Sequence, residues 1–173
     1  FFSQTGAVYL TLERGKQEYN ILQSGYHIPG EPHRPLFPAV FSRYSGETFL
    51  CVSKDAAGRK LMPRDFYPSE DEEDDLTRGY LIPNADAWNP ETDLELLPDS
   101  WLDVNAAGQL RVQAKYRARM PQRLYYDVQG NCSDEPREGW REGWFMTAPV
   151  LFDPTSGLMP DRQTKDSTKL SQL

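Results

Sequence analysis

Histidine and cysteine are nearly absent from this chain, with two of each in 173 residues. Scarce histidine removes the side chain that most often moves protons near neutral pH, which argues against acid–base catalysis and for a non-enzyme. Gly-x-Ser-x-Gly, a phosphate-binding glycine-rich loop and His-Glu-x-x-His are missing as well. Glycoside hydrolysis needs only a pair of carboxylates, and 26 acidic residues leave that one chemistry open. No apolar run approaches the ~18 residues of a membrane-spanning helix, so no helical span is expected. Hydrophobic residues reach only 38%. Aromatics at 12% nevertheless supply the bulk for a core.

What remains reads as mainly β: a β-sandwich-like or twisted antiparallel sheet with one or two short helices and long loops. Val8, Leu10 and Leu12 alternate in a half-buried strand, and Phe41 to Val52 has strand composition. Residues 27–38 carry Pro29, Pro32, Pro35 and Pro38, an irregular connection. Asp55-Ala56-Ala57-Gly58 and Asn105-Ala106-Ala107-Gly108 both fit a type I turn whose glycine goes left-handed, so each predicts a hairpin. The best helix is Asn89 to Leu97, with Asn89 as N-cap, Pro90 at its first position and Pro98 stopping it. One β-rich domain over 1–152 is expected, followed by a flexible C-terminal tail over 153–173.

Cys51 lies in an apolar run and Cys132 in a polar loop. A disulfide between them would close a loop of about 80 residues and stabilise by roughly 4 kcal/mol. Two unrelated reduced thiols are the alternative. With a first residue that is Phe1 rather than Met, the disulfide suggests a mature, trimmed or partial product that is periplasmic or secreted.

Charge is concentrated. Glu70-Asp71-Glu72-Glu73-Asp74-Asp75 accounts for all but −1 of a formal net charge of −7. Six adjacent carboxylates repel one another and must face water or a cationic surface. Between Asp103 and Asp127 the chain instead carries only Arg111, Lys115, Arg117, Arg119 and Arg123, a local +5. Leu110 to Arg119 alternates apolar and basic residues, which predicts a strand with one basic face. That face could stay solvated, pair with the acidic run, or hold an anionic ligand. Nucleic acid is not expected, because a sequence pI near 4.9 opposes its electrostatic footprint.

Arg137-Glu138-Gly139-Trp140 repeats at once as Arg141-Glu142-Gly143-Trp144. In an extended strand Trp140 and Trp144 would share a face, available for stacking on sugar rings, for capping the core or for a subunit contact. With the basic face they make a carbohydrate-binding module or surface protein the rival reading. His27, Glu31 and His33 match no zinc spacing, and Asp103-Val104-Asn105 lacks the glycine and closing acid of a calcium loop. No cofactor or metal is expected.

In size, acidity and expected export, the chain resembles the small periplasmic immunity proteins that bacteria pair with secreted toxic enzymes. The resemblance implies an inhibitor whose partner is a protein with a cationic cleft, a secreted toxin such as a phospholipase effector. Glu70 to Asp75 would block or flank the toxin's active site. Phe66, Tyr67, Leu76 and Tyr80 are the apolar neighbours expected to add buried contact.

Overall fold

The computed structural model of the chain describes residues 8–12, 27–28, 30–67, 75–157 and 165–172. Over these residues it is mainly β. The strands are β1 (Val8–Leu10), β2 (His27–Ile28), β3 (Glu31–Pro35), β4 (Phe37–Ser42), β5 (Thr48–Lys54), β6 (Leu61–Pro63) and β7 (Thr77–Ile82). There follow β8 (Leu102–Val104), β9 (Leu110–Val112), β10 (Gln122–Tyr126), β11 (Cys132–Ser133), β12 (Arg141–Thr147) and β13 (Leu170–Ser171). Among the described residues nine of these form one antiparallel sheet in the order β1-β4-β5-β7-β12-β10-β11, with β13 also on β4 and β6 also on β5. β2–β3 and β8–β9 are separate two-stranded ribbons.

The sheet curls until it meets itself. β6 pairs with β5 on one side, and on the other Leu61 N–H donates to Gly130 O (2.7 Å) and Cys132 N–H to Arg59 O (2.9 Å). Lys60 bridges Asn131 at the same place, so β6-β5-β7-β12-β10-β11 closes into a ring. Every strand of that ring contributes to one interior cluster: Leu61, Leu50, Val52, Leu81, Phe145, Leu124, Tyr126 and Cys132. Closure also joins the two ends of the ring, which would otherwise be unpaired edges able to template aggregation.

Strand alternation places a second core on the outer face. Phe49 and Cys51 of β5 oppose Leu50 and Val52, Tyr80 and Ile82 of β7 oppose Leu81, and Trp144 and Met146 of β12 oppose Phe145. Both faces are buried, so these strands need cover outside as well as inside. Trp88, Leu97, Trp101, Val150, Phe152 and Leu170 supply it. Trp101 stacks on Tyr116 with centroids 4.4 Å apart, and Phe152 meets Trp88 edge-on at 5.5 Å.

Both expected hairpin turns form, with Gly58 at φ +70° and Gly108 at φ +79°. Asp55 Oδ1 accepts from Arg59 N–H (2.7 Å) and Asn105 Oδ1 from Ala107 N–H (2.9 Å), which explains an Asx residue at each first position. Two expectations are corrected. The helix over 89–97 is a 3-10 turn at Asp93–Leu96. Asn89 Oδ1 caps Glu91 N–H (2.9 Å) and Asn89 O accepts from Asp93 N–H (2.8 Å), but the chain then tightens to an i→i−3 bond from Leu97 N–H to Leu94 O (3.1 Å) and stops before Pro98. The basic strand ends at Val112. Gln113 N–H then donates to Trp101 O (2.8 Å), and the chain coils into a single helical turn, α1 (Ala114–Arg117), that lays Tyr116 on Trp101. Of the segment from residue 153, the described parts lie against the sheet. Asp153 and Pro154 are buried, a second single turn, α2 (Asp166–Lys169), follows residue 165, and β13 pairs with Ser42 and Phe41 of β4.

Candidate functional site

Arg64 is buried at the start of the β6–β7 connection, and its guanidinium bonds backbone carbonyls. It donates to Val52 O (3.1 Å), to Gly79 O (3.1 and 2.7 Å) and to Asp65 O (3.0 Å). It also lies over the Tyr80 ring at 4.6 Å. Phe66 is buried next to it. Tyr67, in ring contact with Phe66, is 60% exposed. Asp75 is exposed where the chain re-enters the sheet, and Glu70 to Asp74 lie outside the described residues.

Tyr80 faces inward rather than toward a partner. Its hydroxyl donates to Asp166 Oδ2 (2.8 Å), whose Oδ1 accepts from Val150 N–H (2.9 Å). Lys169 Nζ donates to Val150 O (2.7 Å) and stands 3.9 Å from Asp166. Burial pushes the Tyr80 phenol far up, against the pull of Arg64, so it stays a neutral donor. Burial also pushes the Cys51 thiol up to about 12, again opposed by Arg64. A thiol held neutral is no nucleophile. This network fastens the C-terminal segment to the sheet.

The disulfide expectation is overturned. Cys51 belongs to the outer core and Cys132 to the interior one, so the sheet itself separates them, and both are free. Cys132 Sγ donates instead to Gly58 O (3.4 Å). The single basic face is overturned as well. Arg111 pairs with Asp103 (2.6 Å), Arg117 donates to Val112 O (3.1 Å), and Arg119 donates to Ala148 O (3.0 Å). Lys115 lies over the Tyr116 ring at 5.0 Å, and Arg123 pairs with Glu142 (3.0 Å). These residues sit on β9, α1, the segment after it and β10, each with a local partner. Trp140 and Trp144 do not form an exposed pair. β12 begins at Arg141, so strand alternation starts after Trp140, and Trp144 is buried with its Nε1–H donated to Ala85 O (2.9 Å).

Trp140 instead lines a cleft of about 980 Å³ at the end of the sheet where β5 and β12 begin and β7 and β10 finish. Five separate segments build it: Leu10 to Leu12, Glu47 to Leu50, Pro83 to Asp86, Tyr126 and Gly139 to Glu142. Glu47 Oε2 accepts from Asn84 Nδ2 and from Thr155 Oγ1, both at 3.1 Å. Burial pushes the Tyr126 phenol up to about 12, with Arg141 pulling it down, so it remains protonated. Glu47, Asn84, Thr11 and Tyr126 escaped sequence reasoning because no local motif joins residues so far apart. Comparison with protein-family models, curated proteins and solved structures found no match for this chain.

Proposed function

We propose that the protein is a binding protein of the immunity type, which inhibits a partner enzyme by docking its acidic β6–β7 connection into a cationic cleft. One observation carries the reading: the connection bearing Glu70 to Asp75 is firmly rooted yet presents exposed groups. Arg64 ties its first residue to β5 and β7, Phe66 is buried and Leu76 half-buried, while Tyr67 and Asp75 face outward. A rooted loop loses less freedom on binding than a free one. Its six carboxylates would speed association with a cationic surface by about 10- to 1,000-fold at low salt.

Two of the five basic residues between Asp103 and Asp127 that could neutralise the run have acidic partners elsewhere. Arg111 is engaged by Asp103 and Arg123 by Glu142, which favours an external cation over a fold-back. An exported location belongs to this proposal, since such an inhibitor must be present where its target acts; the cysteines no longer argue for it.

The test is capture from the source organism's exported proteins with two baits, the wild-type chain and a variant with Glu70 to Asp75 changed to Asn or Ser. A partner held by the wild type, weakened by salt and lost with the variant is the expected result. A partner bound equally well by both baits overturns the acidic-loop mechanism.

A further inference from the structure

We propose that the cleft between Leu10–Leu12 and Gly139–Glu142 is a binding site for a neutral carbohydrate. The inference does not rest on the protein-binding reading, because the cleft shares no residue with the β6–β7 connection. Its volume of about 980 Å³ suits a short oligosaccharide, at the upper end of the ~300–1,000 Å³ usual for small-ligand sites.

Charge narrows the ligand class. Among the described residues Glu47, Asp86, Glu142 and Arg141 line the cleft, with Arg123 and Arg137 beside it, so phosphate, sulfate or a uronic acid finds no surplus of positive charge there. A cationic ligand finds no clear surplus of negative charge either, because Arg123 and Arg137 stand with Arg141 against the three carboxylates. Arg123 pairs with Glu142 at 3.0 Å, and Arg137 lies 5.2 Å from the Trp140 ring centroid. What is left is a ligand with hydroxyls and apolar faces but no net charge.

The polar groups are set for hydroxyls. Both donors to Glu47 end on Oε2, so among the described residues Oε1 is left to accept from a ligand. Thr11 is 7% exposed, and its Oγ1 is buried with no hydrogen-bond partner. A buried hydroxyl left unpaired is costly, and a ligand hydroxyl entering beside it would relieve that cost. Tyr126 keeps its proton and can donate, and the Trp140 indole adds an aromatic surface for a sugar ring.

The experiment is a glycan array carrying neutral, acidic and aminated oligosaccharides, followed by calorimetry with the best neutral oligomer. Binding should be confined to neutral glycans and should weaken about tenfold or more in Trp140→Ala and in Glu47→Gln. Tyr126→Phe, which removes only a hydroxyl, serves as a third reading should Trp140→Ala fail to fold. Both Trp140→Ala and Glu47→Gln should retain capture of any protein partner, which separates this site from the acidic connection. No neutral glycan bound, a preference for charged glycans, or full binding by Glu47→Gln and Tyr126→Phe overturns the proposal.

Discussion

Cys51 is fully buried on the outer face of β5, and Cys132, fixed to Gly58 O, points into the ring. Burial pushes their thiols from an ordinary 9.0 to about 12 and about 11. Below pH 9 both are neutral whether the chain is folded or not, so they cost the fold nothing there. As pH rises past 9.0 the unfolded thiols ionise first, while the folded ones resist until about 11 and about 12, and stability drains away across that window. Tyr126, held up to about 12 from 10.0, acts in the same direction. The urea midpoint is therefore expected to be flat from about pH 7 to about pH 8.5 and to fall above about pH 9. A thiol reagent near pH 8 should label neither cysteine in the native protein and both in denaturant. A thiol that reacts at once in the native state would show that the burial argument fails.

Glycines let neighbouring strands of the ring approach. A Cβ at Gly143 of β12 would lie 2.6 Å from Ile82 O on β7 and 3.1 Å from Tyr126 Cε1 on β10. Neither neighbour is the free end of a flexible chain, so Gly143→Ala should lower stability by about 1–3 kcal/mol, read as a shifted urea midpoint with unchanged slope. An unmoved midpoint would mean that the ring tolerates local expansion.

At this scale the sequence was legible where alternation and turn chemistry decide. The hairpins at Gly58 and Gly108 follow from their Asx and glycine positions, and the core strands from their apolar runs. It was illegible where distant aromatics decide. Tyr116 leaves the pattern of Leu110 to Arg119 because Trp101 offers a stacking surface, and nothing local to residues 110–119 announces that. The cleft was half-legible. The tandem repeat singled out Trp140, but Glu47, Thr11 and Tyr126 join it only through sheet closure.

At the scale of the whole molecule, the two cores share their strands. Leu81 and Ile82 are neighbours on β7, yet Leu81 fills the ring interior and Ile82 the outer core, both 0% exposed. Neither core can dissolve without removing one face of β5, β7 and β12 from the other, so the chain should unfold as one unit. Three of its four tryptophans, Trp88, Trp101 and Trp144, belong to the outer core, so indole fluorescence reports mainly that side. Leu81→Ala and Ile82→Ala should each destabilise by about 2–5 kcal/mol. For both variants the fluorescence transition should coincide with the far-ultraviolet circular dichroism transition. Coincidence for Leu81→Ala is the stronger result, because the substitution lies on the face most of the fluorophores do not see. If instead Leu81→Ala shifts the dichroism transition while the tryptophans keep the wild-type midpoint, the interior and outer cores are separate cooperative units. The sheet would then be a partition between them rather than their common frame.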